Sequence, residues 1–258
     1  MNSPLVSAVV LAGGHSKPDL LAATGVPNRA LLQIEGETML LRVVRALQAS
    51  GTVRDIHVVG DVTPPAECYS HPDTGDFVEN VLQAARVLPG EQYILYTTAD
   101  IPFLTPQAVT DFVSRSLQSG ADMCYPIIPI ERCQQQFPNM RRTALSLREG
   151  RFTGGNLLMV RARIVHRQAE LLRRAFASRK SVWGMATLLG WQMIVRLAGA
   201  KLISPHWLSI AHIKHRVQQL MGATVQEIIT DYAEIGVDID NLEHLHTLVQ
   251  AGYRINRR

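Results

Sequence analysis

Short apolar segments alternate with segments of helical periodicity up to about residue 130. The apolar segments, which predict strands, are residues 6–11, 55–60, 92–98 and 121–130, and the helical patterns cover residues 39–48, 78–88 and 106–118. Strands that alternate with helices are joined by crossovers, and such crossovers are almost always right-handed. The pattern therefore predicts an α/β fold with a mostly parallel sheet flanked by helices.

The second half of the chain departs from this alternation. Residues 161–221 are mostly helical in pattern and basic, and a predicted strand at 228–238 and a helix at 241–251 follow. A chain of 258 residues with 47% hydrophobic content can bury its core as one domain. We predict a single domain over the whole chain, with a core formed by residues 1–160 and 222–258 and a helical insertion at about 161–221.

Composition and hydropathy favour a cytoplasmic protein. The three cysteines form no CxxC pair, which indicates a reducing compartment rather than a disulfide framework. Residues 1–4 lack the basic region of a signal peptide, and the apolar stretch 182–202 is broken by Gln192 and Arg196. We therefore expect no transmembrane segment. A buried helix is expected at 182–202, with peripheral membrane contact as the minor alternative.

The charge distribution leaves two interpretations open. The net charge of +4 is too small to predict nucleic-acid binding. Residues 161–201, however, contain nine Lys and Arg residues and a single acid, Glu170. This segment either meets a phosphate or an anionic surface, or is a solvated helix face. The tryptophans of the insertion, Trp183, Trp191 and Trp207, are expected to pack it, although they could instead line an apolar pocket.

The first predicted strand ends in a glycine-rich loop. It reads Leu11, Ala12, Gly13 and Gly14, and Lys17 follows shortly after. Ligands of open α/β sheets bind outside the carboxyl ends of the strands. Two glycines there let the backbone approach a phosphate chain closely, although a tight turn requires the same residues. The loop matches neither GxGxxG nor GxxxxGK[ST], which disfavours dinucleotide-binding and P-loop proteins.

Acidic residues occupy two further positions of interest. Asp100 follows the third predicted strand, where a carboxylate facing the first loop is well placed to hold Mg²⁺ beside a triphosphate. The alternative is that Asp100 ends the strand and begins a turn. Near the end of the chain, Asp238 and Asp240 alternate along a predicted extended segment, so their side chains face the same way. For Asp240 and Asn241 we favour capping of the last helix.

These segments together resemble a known signature. LAGG at residues 11–14 is followed by PNRALLQIEGETML at 27–40, TADIPFLTP at 98–106 and GVDIDNLEHL at 236–245. In this order and spacing they resemble nucleotidyltransferases with the GT-A-type fold, which include sugar-phosphate nucleotidyltransferases and MobA-like NTP transferases. The resemblance implies a Rossmann-like mixed sheet. The chain departs from the family pattern because Asn28 follows the proline and Arg29 stands in place of the usual lysine.

The resemblance implies roles for individual residues. Those that wrap or contact the NTP phosphates are Leu11, Ala12, Gly13, Gly14, Lys17 and Arg29. Asp100 and Asp238 match the ligands of the catalytic Mg²⁺. Asn80, in segment 75–85, matches a position beside the base and ribose, although a helix N-terminus alone would also explain it. Residues 152–158 match the strand over which the acceptor lies, or form a bulge at their paired glycines.

The resemblance thus implies a Mg²⁺-dependent nucleotidyltransferase. Such an enzyme transfers a nucleoside monophosphate from an NTP to an acceptor and releases pyrophosphate. We expect a small anionic acceptor that meets the basic insertion, with a homodimer interface as the alternative role of that insertion. The competing functions are a non-catalytic nucleotide-binding or nucleotide-sugar-binding protein and a GT-A glycosyltransferase, whose DxD motif is not matched at residues 100–102. A Rossmann oxidoreductase is disfavoured by the missing glycine fingerprint.

Overall fold

The computed structural model describes residues 5–89, 92–178 and 181–256, so residues 1–4 and residues 179–180 of the basic segment lie outside the described part of the chain. The strands are β1 (Val6–Leu11), β2 (Gln33–Ile34), β3 (Glu37–Thr38), β4 (Val53–Val59), β5 (Cys68–His71), β6 (Tyr93–Thr98), β7 (Met123–Pro129), β8 (Leu145–Leu147), β9 (Gly150–Gly154), β10 (Leu157–Arg161), β11 (Val225–Ile229) and β12 (Ile255–Asn256). The helices are α1 (Pro18–Thr24), α2 (Met39–Ala49), α3 (Phe77–Arg86), α4 (Pro106–Ser119), α5 (Ile130–Gln136), α6 (Ala162–Arg167), α7 (Ala169–Ser178), α8 (Val182–Leu189), α9 (Trp191–Leu202), α10 (Ile210–Met221) and α11 (Leu242–Gln250).

The large sheet is mostly parallel. Its strands follow the order β5-β4-β1-β6-β10-β7-β9-β8, and β11 pairs with β7. Neighbours β5, β4, β1 and β6 are parallel, while β10 runs antiparallel between β6 and β7. β1 and β6 pair in register up to Leu11 and Thr98, which brings their carboxyl ends side by side. The predicted α/β class with a mixed, mostly parallel sheet is therefore confirmed.

Helices cover both faces of this sheet, because successive side chains of a strand point to opposite sides. On one face, Val10 of β1 belongs to a buried cluster with α2 and α4 that includes the fully buried Phe112. On the other face, Val9 belongs to a cluster with α3 and α6. Phe77 of α3 also stacks on Phe176 of α7, with ring centroids 4.0 Å apart. The result is a three-layer arrangement.

The strand predicted at 228–238 is wrong in its extent. β11 ends at Ile229, and a 3-10 turn covers Ala233–Gly236. The ladder ends because the chain turns locally: the N–H of Tyr232 donates to Oγ1 of Thr230 at 3.3 Å. The segment after this turn therefore reaches the edge of the sheet as extended chain and not as one of its strands.

The chain between β10 and β11 consists of α6 to α10, at the position of the insertion predicted at 161–221. Helices α6 and α7 pack with α3 against the sheet. Helices α8, α9 and α10 form a separate apolar cluster with β8 and β9. The division of the chain into one core and one insertion stays a prediction.

A continuous buried helix at 182–202, which the apolar pattern predicts, is wrong. Gly190 separates α8 from α9 with a left-handed φ of 101°, a conformation that glycine adopts without steric cost. The expected packing of the tryptophans is also incomplete, since Trp191 is 71% exposed. Among the described helices, none is long and apolar enough to cross a membrane.

Replacement of Thr105 by alanine should destabilise the protein more than replacement of Thr38. Both threonines cap a helix through Oγ1, a contribution of about 1 kcal/mol. Oγ1 of Thr105 also donates to the buried carboxylate of Glu234 at 2.7 Å. Loss of a hydrogen bond to a charged group costs a further ~1.5–3 kcal/mol.

We therefore expect urea titrations to give a free energy of unfolding lower by about 2.5–4 kcal/mol for Thr105→Ala and by about 1 kcal/mol for Thr38→Ala. Equal losses in the two variants would contradict a stabilising contact between Thr105 and Glu234.

Candidate active site

The loop after β1 is bound to the segment that precedes β2. The side chain of Asn28 donates from Nδ2 to the backbone oxygen of Ala12 at 2.8 Å, and its Oδ1 accepts from the N–H of Ala30. The N–H of Arg29 donates to the backbone oxygen of Gly14 at 3.0 Å. Asn28, which departs from the family pattern, therefore holds the backbone of Arg29 against the loop.

Gly13 and Gly14 are distinguished by close contacts with charged side chains and not by their backbone conformation, since neither has a left-handed φ. A Cβ on Gly13 would lie 2.5 Å from Oδ2 of Asp73. A Cβ on Gly14 would lie 2.8 Å from Nη2 of Arg29. One acidic and one basic side chain thus lie directly against the two glycines.

The side chain of Asn80 supports the segment that carries Asp73. Its Oδ1 accepts from the N–H and the hydroxyl of Thr74 at 2.9 and 2.8 Å, and its Nδ2 donates to Asp73 at 2.7 Å. The bond from Asn80 is the main cause that lowers the pKa of Asp73 below its ordinary value. The buried amide of Asn80 is therefore engaged within the protein, and its contact with a nucleotide stays a prediction.

Asp100 lies at the carboxyl end of β6 and is paired with Arg29. Nη2 of Arg29 is 3.1 Å from Oδ2 of Asp100, whose side chain is only 14% exposed. Burial raises the pKa of Asp100 above its ordinary value; Arg29 and the nearby hydroxyl of Thr98 oppose this rise, and the nearby Asp238 adds to it. The other oxygen, Oδ1, is buried with no hydrogen-bond partner in the described part of the chain.

The C-terminal segment reaches Asp100 through a backbone hydrogen bond. The N–H of Ile239 donates to the backbone oxygen of Asp100 at 2.9 Å. Val237 and Ile239 are fully buried, whereas Asp238 and Asp240 on the alternate positions keep partial exposure. The two carboxylates therefore lie on one side of this extended segment, as the sequence pattern predicts.

Each of these carboxylates pairs with a cation. Nη1 of Arg142 contacts Oδ1 of Asp238, and Nζ of Lys17 lies 3.0 Å from Oδ2 of Asp240. The helix cap is supplied by Asn241, whose Oδ1 accepts from the N–H three residues on. Asp240 instead faces Lys17, and this interaction lowers the pKa of Asp240 in spite of burial, which acts to raise it.

Three cations and three carboxylates thus meet at the carboxyl ends of β1 and β6. We call this group the charged cluster; its members are Lys17, Arg29, Arg142, Asp100, Asp238 and Asp240. Arg142 is a member that the sequence did not reveal. It lies between α5 and β8 in a stretch without a motif, 96 positions from its partner. Of the predicted site residues, Lys17, Arg29, Asp100 and Asp238 belong to the cluster.

The carboxylates of the charged cluster fit a magnesium ion that is shared with a substrate. The described residues contain no group of three or more His, Cys, Asp or Glu side chains arranged to hold a metal. Magnesium, however, is usually bound by one or two carboxylates together with substrate phosphates and water. The unpartnered Oδ1 of Asp100 supplies an acceptor of this kind, close to Asp238.

A cavity of about 350 Å³ adjoins the charged cluster, and we call it the polar pocket. It is lined by the carboxylates Asp238 and Asp240 and by the arginines Arg141 and Arg142. Residues 153–156, which form the end of β9 and its link to β10, also line it. The segment that the sequence associates with an acceptor therefore lies beside the charged cluster.

A Rossmann-like sheet with a glycine-rich loop, basic side chains and three carboxylates at its carboxyl edge is the arrangement that the sequence resemblance predicts for an NTP transferase. The chain belongs to the MobA-like NTP transferase domain family, whose model matches residues 8–206. It is similar to the 2-C-methyl-D-erythritol 4-phosphate cytidylyltransferase of Saccharopolyspora erythraea, with 33% identity over 140 residues. That match covers 48% of this chain and 60% of the relative, less than two thirds of its length.

Solved structures agree with this assignment. A hypothetical transferase from Thermus thermophilus has 35% identity and a TM-score of 0.80, over 93% of this chain and 99% of that one. The CMP:2-keto-3-deoxy-manno-octonic acid synthetase, solved with CTP, has 12% identity and a TM-score of 0.58, over 97% of this chain and 99% of that one. The latter shows a shared fold. The predicted family and the Rossmann-like sheet are confirmed.

The opposite pKa shifts of Asp100 and Asp73 predict opposite effects of their amide variants in metal-free buffer. A carboxyl with a raised folded-state pKa loses stability as pH rises from about 3.9 to the raised value, because the folded state binds more protons there. Asp100→Asn should therefore gain stability relative to the wild type across that window and keep a constant difference above it.

Asp73 has a lowered pKa, so its stabilisation is lost as pH falls below about 3.9 towards the lowered value. The free energy of unfolding of Asp73→Asn should be lower than that of the wild type by a constant amount above this acidic window. The difference should shrink as pH falls through the window. Urea titrations of both variants and the wild type over a pH series measure this. If the difference in free energy of unfolding between Asp100→Asn and the wild type does not change with pH, the burial of a charged Asp100 is refuted.

Proposed function

We propose that this protein transfers a nucleoside monophosphate from an NTP to an acceptor, in a Mg²⁺-dependent reaction that releases pyrophosphate. The observation that carries the proposal is the charged cluster beside the Gly13–Gly14 loop, with an unpartnered carboxylate oxygen on Asp100. Nucleotidyl transfer depends on positioning and on charge stabilisation more than on a strong base. The cations and carboxylates of the charged cluster can supply both positioning and charge stabilisation at one edge of the sheet.

The triphosphate would lie over the glycine-rich loop. Gly13 and Gly14 carry no side chains, so phosphate oxygens can approach the backbone from Leu11 to Gly14. Lys17 follows this loop in the chain and Arg29 lies against Gly14, and each already pairs with a carboxylate of the cluster. Arg29 can bind phosphate through two parallel N–H groups, which fixes orientation as well as charge.

Magnesium would be held by Asp100 and Asp238. When bound, the ion supplies charge stabilisation to the reacting phosphate. Asp238 is kept in position by Arg142, and Asp100 by Arg29. Both carboxylates are thus oriented by cations before any ligand binds.

The acceptor would enter through the polar pocket. One of its oxygens forms a bond to the α-phosphorus, and the bond from that phosphorus to the departing pyrophosphate breaks. Arg141 and Arg142 line the pocket and suit an anionic acceptor. Among donors, CTP is the first to test, because the cytidylyltransferase and the CMP synthetase named above both handle cytidine nucleotides.

Asp100→Ala should abolish the Mg²⁺-dependent stabilisation of the protein by its NTP. A ligand that binds only the folded state adds about 2.7 kcal/mol at a hundredfold excess over Kd. Thermal unfolding with each of the four NTPs, with and without Mg²⁺, measures the effect. Asp231→Ala is the control, since Asp231 is 70% exposed and pairs with the surface residue Arg132; it should keep the wild-type response.

The same panel separates the competing functions. Absence of a shift with every NTP in the wild type would refute the proposed donor. Binding of an NTP without pyrophosphate release for any acceptor would favour a non-catalytic nucleotide-binding protein. Stabilisation by nucleotide-sugars in place of NTPs would favour a glycosyltransferase.

Arg29→Ala should lower kcat for pyrophosphate release by about 10²–10³-fold, the loss expected when one charge-stabilising group is removed. Arg132→Ala removes an arginine of a surface ion pair and should leave kcat unchanged. Both rates are measured with the NTP that stabilises the protein. Equal rates for Arg29→Ala and the wild type would contradict the role of Arg29 at the transferred phosphate.

A further inference from the structure

An apolar cavity of about 440 Å³ lies between the sheet and the helical segment. Strands β7, β8 and β9 form one wall, and helices α8 and α10 form the other. Its apolar lining includes Ile127, Leu147, Phe152, Met185, Ile213 and Val217. Protein interiors rarely leave voids larger than a water molecule, and this volume falls within the range of small-molecule pockets.

The apolar cavity adjoins the polar pocket. The two share Tyr125, Thr143, Thr153 and Gly154 in their walls. Tyr125 lies at this junction, packed so closely on Gly154 that a Cβ there would be 2.3 Å from its hydroxyl oxygen. A ligand that occupied both spaces would therefore lie against Tyr125, with one end at the charged cluster and the other in the apolar cavity.

Charged groups inside the apolar cavity are already compensated. Lys214 and Glu227 both line it, with Nζ of Lys214 3.2 Å from Oε2 of Glu227 and 2.7 Å from Oε1 of Gln226. The polar pocket differs, because Arg141 lines it beside the ion pair of Arg142 with Asp238 and adds a positive charge there. Charge complementarity thus places an anion at the Arg141 end and hydrocarbon at the other.

The apolar region also continues towards the surface. A second cavity of about 460 Å³ shares Thr143, Leu145 and Val182 with the first. Its rim includes Leu202 and Ile203, which are 85% and 70% exposed. A hydrocarbon group longer than the first cavity would therefore meet further apolar side chains on its way out.

We propose that the acceptor is the phosphomonoester of a hydrocarbon alcohol, with its phosphate in the polar pocket and its hydrocarbon part in the apolar cavity. This inference rests on the proposed function and specifies its substrate class. A phosphate oxygen of the acceptor bonds to the α-phosphorus of the NTP, and pyrophosphate leaves with the electrons of the broken P–O bond. The product is a nucleoside diphosphate ester of the hydrocarbon alcohol, and no oxidant or reductant takes part.

The test uses ethyl phosphate and n-hexyl phosphate as probes. Calorimetric titration of the wild type should give a Kd for hexyl phosphate at least tenfold below that for ethyl phosphate, since each buried methylene strengthens binding about fourfold. Pyrophosphate release with hexyl phosphate as acceptor should show the same preference in kcat/KM. Equal affinities for the two phosphates would overturn the proposal.

Variants locate the hydrocarbon site. Met185→Trp should fill part of the apolar cavity and reduce the preference for hexyl phosphate at least fivefold, with unchanged affinity for ethyl phosphate. Val195→Trp introduces the same side chain at a 49% exposed position of the neighbouring helix and should keep the preference. Val182→Phe, on the cavity wall, is the second cavity variant if Met185→Trp does not fold, as judged by thermal unfolding.

A cavity variant that keeps the full preference for hexyl phosphate would also overturn the proposal. Binding of an NTP, measured by thermal shift in the same proteins, reports on the proposed function separately. NTP binding with no chain-length preference refutes the acceptor class alone. A chain-length preference without NTP binding or pyrophosphate release supports the hydrocarbon site and refutes nucleotidyl transfer.

Discussion

The ion pair between Arg29 and Asp100 is the interaction on which the candidate site depends. A buried carboxylate at the end of a strand is costly unless a cation compensates it. Arg29 can reach Asp100 because Gly14 has no side chain and because Asn28 fixes the chain before Arg29 against the loop. The backbone oxygen of Asp100 in turn accepts a hydrogen bond from the N–H of Ile239. Three distant parts of the sequence therefore meet at one residue.

The junction between the polar pocket and the apolar cavity follows from an irregularity of the sheet. The first residues of β7 pair with β10 and its last residues pair with β9. Between them, Pro126 has no N–H to donate, and its carbonyl accepts from Gly155 at 3.1 Å. The change of partner leaves Tyr125, Thr153 and Gly154 in the walls of both spaces. The two spaces thus adjoin where the ladder is broken.

Local features of the sequence predicted much of the fold and part of the site. The apolar run of β1, the Thr105 cap of α4 and the position of Asp100 at a strand end are each contained in a few consecutive residues. The pairing of Arg142 with Asp238 is not, because no periodicity connects residues 96 positions apart. The break at Gly190 is also missing from the prediction, because the apolar pattern of 182–202 runs through this glycine without a change.

The equal number of cations and carboxylates in the charged cluster has a consequence for the electrostatic potential at this edge of the sheet. Each cation already faces an internal counter-ion, so an approaching anion meets ion pairs and not an open positive site. The carboxylates therefore offset part of the attraction between the cations and an anion. A site built this way attracts stray anions less than three unpaired cations would.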